Sequence, residues 1–150
     1  MSNETFAINL LPVRVYYEDT DFSGLVYHAS YLRFMERGRT EMLRSAGVDQ
    51  SVLHQEEQGV FFAVRKMSLD YIKPARMDDN LLIETRIDDM RGASLMLKQR
   101  VLRVENHHNS SLKDGAAQDV LVIADVHIAT LKAGKPARIP QALRARLQAL

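Results

Sequence analysis

Two aspartates, a glycine and a histidine stand within one twelve-residue run, YEDTDFSGLVYH, from Tyr17 to His28. A carboxylate can attack a carbonyl or deprotonate water, provided something nearby stabilises the charge that develops on the carbonyl oxygen. Asp19 and Asp21 are two positions apart, so in an extended segment they share a face, and Gly24 lets the chain turn back closely. A helix follows at once. Its first amides, around His28 and Ala29, have no intrahelical carbonyl to bond and sit at the positive end of the helix dipole, where they could hold an oxyanion. A carboxylate beside such amides is an apparatus for acyl transfer that needs neither a metal nor a serine. The same Asp-Thr-Asp with Ser-Gly is also what an ordinary helix cap and turn require. Spacing alone leaves both readings open.

The elements that must carry this run are legible from periodicity. Val13 to Tyr17 is β-branched and aromatic and reads as a strand. Tyr31, Met35, Gly38 and Met42 recur at helical spacing, flanked by Phe34, Leu43 and Ala46, while Arg33, Arg37, Glu41 and Arg44 fall mostly elsewhere. This predicts a helix from about Ala29 to Ala46, ended by Gly47, roughly 27 Å long at 1.5 Å per residue. A polar stretch with a further helical turn around residues 51–58 leads into four strands: Val60 to Tyr71, halted by Pro74, then Asn80 to Asp88, Leu95 to Glu105 and Asp119 to Leu131. Glu105 to Gln118 reads as a long polar hairpin loop, and Leu143, Leu147 and Leu150 mark a short terminal helix. One early helix followed by a run of strands, without strand-helix alternation, predicts an α+β domain spanning residues 1–150, its antiparallel sheet curled around the helix. The outer sheet face then needs cover, and strands as apolar as Asp119 to Leu131 point to another subunit.

Composition narrows the function classes. The 150 residues are 46% hydrophobic and 26% charged, enough for one ordinary core. The 20 basic and 19 acidic side chains leave a net charge of +1, so no broad positive field suggests nucleic acid. Cysteine is absent, which removes disulfides, thiolate catalysis and the usual structural zinc sites. The N-terminus, with Glu4 and no basic start before a long apolar run, lacks the look of a secretory signal, and no stretch is apolar enough to span a membrane. A cytoplasmic protein is the expectation. Asn109-Ser110-Ser111, a glycosylation acceptor by pattern, is then a coincidence.

The run RVYYEDTDFSGLVYHASYLRFMERGRTEMLRSAG, Arg14 to Gly47, resembles the Tol-Pal-associated, YbgC-type acyl-CoA thioesterases, a branch of the hotdog-fold 4-hydroxybenzoyl-CoA thioesterase family. The likeness continues through VRKMSLDYIKPARMDD and MRGASLMLKQRV and so covers most of the chain. It implies a hotdog fold, with an antiparallel sheet wrapped around a long central helix, in a homo-oligomer, dimer or tetramer, whose active site lies between subunits. It also implies hydrolysis of an acyl-CoA thioester to a free acid and coenzyme A. Asp21 matches the family's catalytic carboxylate, as nucleophile or as general base for water. His28 matches the histidine of the Tol-Pal branch, where the 4-hydroxybenzoyl branch has an aromatic residue. Its implied work is to orient carboxylate, substrate or water, with its amide polarising the thioester oxygen. Asp19 is assigned to capping the turn.

The substrate's pantetheine arm and phosphorylated nucleotide call for a narrow channel ending in cations. Tyr17 and Tyr27 are candidates to shape the pocket, though aromatics at a helix entrance are more often core packing. Arg91 leads the cations, beside Gly92-Ala93-Ser94, where the family places nucleotide-side contacts, and Lys135 and Arg138 add charge. The 4-hydroxybenzoyl branch is more basic next to Arg91, where this chain has Gly92 and Ala93, and each cation taken singly reads as a solvated surface charge. Coenzyme A belongs to the substrate, and no separate cofactor is implied. His107 and His108 lie in the polar loop without acids at ligand spacing, so no metal is expected. Asp78-Asp79 and Asp88-Asp89 read as solvated strand-end turns. The rival readings are a thioesterase for acyl groups on acyl carrier protein and a non-catalytic acyl- or protein-binding module. A hotdog dehydratase, with a different local pattern, ranks below them.

Overall fold

A computed structural model of the chain describes residues 6–50, 59–105 and 119–150. The further turn expected at residues 51–58 lies outside them, as do His107, His108 and nearly all of the expected hairpin loop. Along the chain run β1 (Asn9–Arg14), a 3-10 turn (Tyr17–Asp19), α1 (Ser30–Ser45), β2 (Phe61–Tyr71), β3 (Asn80–Met90), β4 (Ser94–Val104), β5 (Asp119–Lys132), β6 (Lys135–Pro136) and α2 (Gln141–Gln148). Every strand pair is antiparallel, in the order β1-β3-β4-β5-β2, and the short β6 pairs with the end of β5. This is the α+β hotdog arrangement of sheet around helix.

Alternation along the strands decides which face meets α1. Leu81, Ile83, Thr85 and Ile87 of β3 and Val122, Ala124, Val126 and Ile128 of β5 recur at the period of two that a pleated strand requires and are buried, while on β3 the intervening Leu82 and Glu84 are buried too, on the opposite face. Against them α1 lays Tyr31, Phe34, Met35, Met42 and Leu43, all buried, each worth about 1.5–3 kcal/mol relative to exposure. Gly38 lies at the point of closest approach: a Cβ there would stand 2.7 Å from Ile83 Cγ2 and 2.9 Å from Thr85 Oγ1. Beneath it the buried Gln99 donates from Nε2 to the Met35 carbonyl (2.9 Å) and to Thr85 Oγ1 (2.8 Å), while its Oε1 accepts from Arg39 Nη1 (3.0 Å). Helix and sheet are thus joined by a satisfied polar cluster as well as by apolar packing. α2 buries Leu143 and Leu147 in the same core.

Three expectations need correction. β1 ends at Arg14 and does not run on to Tyr17. Val15 exchanges hydrogen bonds with the turn after β2, accepting from Asp78 N and donating to Asp79 O at 3.0 Å each, and the chain then coils into the 3-10 turn. β-branched residues favour a strand only where a partner offers a ladder, and β3 offers none beyond Asn80, the partner of Arg14. The outer face of the sheet is also more polar than β5 alone suggested. Glu84 pairs there with Arg100 at 2.7 Å, and Lys98 with Asp125 at 3.3 Å. Apolar surface is left open there at Ile123 and, more extensively, along β2, which among the described residues is an edge strand paired with β5 alone: Val64 and Tyr71 are about half exposed. Nor are the acid pairs merely solvated. Asp79 accepts from the Arg76 amide (2.9 Å) and pairs with Arg103, and Asp89 pairs with Arg91 (3.1 Å).

Candidate active site

The segment before α1 is a folded turn, so Asp19 and Asp21 do not share an extended face. Asp19 closes the 3-10 turn: its Oδ2 accepts from the Tyr16 amide (2.8 Å), and its carbonyl accepts from Tyr27 N (2.8 Å) and Ser30 Oγ (3.3 Å). Its groups are committed to holding the helix entry, as the sequence suggested. Thr20 and Val26 then form an antiparallel bridge, Leu25 bridges to Arg76, and Val26 N donates to Ala75 O (2.9 Å). Asp21 begins the tight turn that this small hairpin encloses. Its carbonyl accepts from Gly24 N (3.0 Å), and Gly24 has φ +80°, which only glycine adopts without cost.

The Asp21 side chain folds back on the same turn. Oδ1 accepts from the Ser23 amide (2.8 Å) and from the Ser23 hydroxyl in a short hydrogen bond, while Oδ2 has no partner among the described residues. The Ser23 hydroxyl and amide, helped by the Leu25 backbone and the charge of nearby His28, hold this carboxyl below its ordinary value. Asp21 is therefore an exposed, ionised carboxylate with one oxygen fixed and the other available.

Asp21 and His28 line one cavity of about 280 Å³, together with Tyr31 of α1 and Tyr71, Ile72 and Lys73 from the end of β2. Tyr31 accepts the Ala75 amide on its hydroxyl oxygen (2.9 Å), and burial pushes that phenol up, so it stays protonated. Tyr71 Oη donates to the His28 carbonyl (3.1 Å) and its ring lies 5.7 Å from that of Tyr31. These contacts fix the backbone at the helix entry. Ser30 N is taken by Tyr27 O and Leu32 N by Ala29 O, but among the described residues neither the His28 nor the Ala29 amide donates to a carbonyl. The Asp21 carboxylate and His28 thus share a cavity at a helix entry whose first amides are unspent among the described residues, an arrangement suited to attacking and polarising an acyl carbonyl.

The other candidates lie elsewhere. Tyr17 is 78% exposed and Tyr27 47% exposed, and neither lines the Asp21 cavity; the Tyr27 ring leans on His28 with centroids 4.5 Å apart. Neither is packed in the core. Arg91 and Ser94 line a second cavity, of about 620 Å³, on the outer sheet face with Arg65, His127 and Pro136. Arg138 approaches Gly92, its guanidinium carbon 3.9 Å from where a Cβ would stand, and Lys135 lies exposed in β6. These cations gather near Ala63, at the start of β2, whereas Asp21 meets Tyr71 at its end, roughly 26 Å away at about 3.3 Å per residue. Sequence reasoning missed Tyr71, Lys73 and Arg65. Only Arg65 left a local sign: it stands with Lys66 as a basic pair in an apolar strand, and the β2–β5 register breaks there in a bulge.

The family model described as the thioesterase-like superfamily matches residues 15–147. The chain belongs to that superfamily. Among curated members, the acyl-CoA thioester hydrolase YbgC of Escherichia coli O157:H7 is 57% identical over 95 residues, 63% of this chain and 69% of that protein. The acyl-CoA thioesterase YbgC of Haemophilus influenzae is 48% identical over 92 residues, 61% of this chain and 67% of that protein. Among solved superfamily structures, a probable thioesterase from Bartonella henselae superposes with a TM-score of 0.77 at 41% identity, covering 89% of this chain and all of that one. The 4-hydroxybenzoyl-CoA thioesterase from Pseudomonas sp. strain CBS-3, 18% identical, shares the fold with a TM-score of 0.78, over 93% of this chain and 98% of that one.

Proposed function

We propose that this superfamily member hydrolyses an acyl-CoA thioester to a free acid and coenzyme A. The observation that carries the reading is the meeting of the ionised Asp21 with His28 at one cavity, at a helix entry where the His28 and Ala29 amides donate to no carbonyl among the described residues. The names of the YbgC relatives supply the substrate class. With the thioester oxygen held by those amides, Asp21 works in one of two ways. As nucleophile it adds to the carbonyl carbon, coenzyme A leaves as the thiolate, and water opens the resulting mixed anhydride. As general base it takes a proton from water, whose oxygen adds to the same carbon before the thiolate leaves. His28 orients the carboxylate or the water. No cofactor enters either route.

The test is thiol release from a panel of acyl-CoA esters. Asp21→Asn is expected to lower the rate by about two to four orders of magnitude, the usual worth of a positioned acid or base. Equal rates for variant and wild type would sink the assignment. Running the same acyl groups on acyl carrier protein decides between the two carriers of the pantetheine arm.

The remaining roles follow from the substrate's length. Tyr17 and Tyr27 form the rim of the entrance, and Arg91, Ser94, Lys135 and Arg138 receive the nucleotide. Since these lie a strand's length from Asp21 within one subunit, the site is completed by a second copy. Two β2 edges paired antiparallel about a two-fold axis bring the cationic end of one subunit to the Asp21 end of the other. The dimer is the catalytic unit, and a homotetramer pairs two of them. A cytoplasmic location follows from the substrate, since coenzyme A esters are made and consumed there. A link to the Tol-Pal envelope machinery rests on the family resemblance.

A further inference from the structure

We infer that Ser23 is a positioning residue for the reaction: by donating both its hydroxyl and its amide to one oxygen of Asp21, it aims the other oxygen at the substrate and sets the pH range in which the carboxylate works. This rests on the reading of Asp21 as the reactive carboxylate and adds a second residue to it.

The geometry is specific. A two-residue Asx turn needs only the amide of residue i+2 on the Asp side chain, and that bond is present from Ser23 N to Oδ1 at 2.8 Å. The hydroxyl of the same residue reaches the same oxygen as well. A turn would form without that second bond, so the hydroxyl does something the fold does not require. Two donors on Oδ1 lock the carboxylate plane and leave Oδ2 as the oxygen without a partner among the described residues. They also draw charge out of the carboxylate. Ser23 is the first cause of the lowered Asp21 value, ahead of the Leu25 backbone and His28. The other titratable groups around the cavity, His28, Tyr31, Tyr71 and Lys73, come from the helix entry, from α1 and from the end of β2. None of the four hydrogen-bonds the carboxylate, so Ser23 is the foremost lever on its basicity, with the Leu25 backbone and the charge of His28 behind it.

The direction of the pH effect follows. A carboxylate whose pKa is depressed stays ionised, and so competent as nucleophile or base, down to a lower pH. Loss of the Ser23 hydroxyl lets that value rise towards the ordinary carboxylate range, so activity is lost at a higher pH as the solution is acidified.

The experiment is the pH profile of kcat/KM on an acyl-CoA ester turned over by the wild type, for Ser23→Ala, Ser23→Gly and Ser23→Thr, with Asp21→Asn alongside. Alanine and glycine both remove the hydroxyl, and glycine also guards against a turn that alanine fits poorly. In both, the plateau falls up to about tenfold as the carboxylate loses its aim, and the acidic limb moves upward. Threonine, which keeps the hydroxyl, returns the limb towards its wild-type position. A limb that stays put in the alanine and glycine variants, whatever the plateau does, overturns the inference: Ser23 is then only a turn residue, or the limb belongs to His28. An Asp21→Asn variant as active as wild type overturns the functional reading and this inference with it. An inactive Asp21→Asn with an unmoved Ser23 limb overturns this inference alone.

Discussion

Asp21 and His28 contribute to the site through different atoms, and substitution separates them. In the proposed reaction Asp21 acts through a side-chain oxygen, so Asp21→Asn is expected to lower turnover by about two to four orders of magnitude. His28 lines the Asp21 cavity, its backbone amide donates to no carbonyl among the described residues, and Tyr71 fixes the next peptide by donating to the His28 carbonyl. His28→Ala therefore keeps the amide and loses only the orienting ring, against which Tyr27 is packed. Its kcat/KM is expected to fall by about ten- to a hundredfold, well short of the Asp21→Asn loss, in steady-state assays at the plateau pH. A His28→Ala loss as deep as that of Asp21→Asn would assign the proton transfer to the imidazole instead. The acids and the histidine were legible in the sequence because they lie within one turn of chain. Tyr71 and Lys73 were not, because strand pairing carries them there from more than forty residues away and no local pattern records that return.

At the scale of elements, α1 is held against the sheet at one narrow place. In an isolated helix Gly38→Ala would stabilise by about 1 kcal/mol, since glycine is a poor helix former. Here the new methyl would meet Ile83 and Thr85 of a fully packed β3, below any distance that real Cβ atoms keep. Overpacking of this kind costs about 1–3 kcal/mol, so the net sign is destabilising and the melting temperature is expected to drop by several degrees in a thermal scan. An unchanged or raised melting temperature would mean that the helix can lift off the sheet without loss. The helix itself could be read from the spacing of Tyr31, Met35, Gly38 and Met42. That Gly38 belongs to its buried face was legible as well, but that a buried Gln99 lies beneath it was not, since a lone glutamine in β4 carries no sign of which carbonyl it will meet. The start of the motif was misread for the same reason: Val13 to Tyr17 has strand-forming residues, and only the position of β3 determines where they stop pairing.

For the whole molecule, the arrangement of the sheet makes β2 the edge on which the proposed dimer depends. Its apolar inner side chains, half-exposed Val64 and Tyr71 among them, continue the core to the margin of the chain, while the outer face carries ion pairs beside a small apolar cluster of Leu82, Leu102 and Val104. Natural edges resist pairing through charge, and a lysine placed on this one is expected to oppose it. Val64→Lys should shift the protein towards monomer in sedimentation or light-scattering measurements and lower acyl-CoA turnover in parallel. A monomer of full activity would show that one subunit holds a whole site. Apolar strands had suggested from the sequence that a neighbour was needed. Where the chain leaves apolar side chains open became visible only once alternation had divided each strand between helix and solvent.

The little hairpin between Thr20 and Val26 has one more consequence. The Thr20–Val26 bridge closes it and the Leu25–Arg76 bridge ties it to the rest of the chain, while Phe22 and Ser23 stand exposed at its tip. Substitutions at that tip reach no core side chain and no sheet contact, yet position 23 touches the reacting group directly. The acid tolerance of the enzyme can therefore drift, or be bred, by single changes at a site that the scaffold does not police.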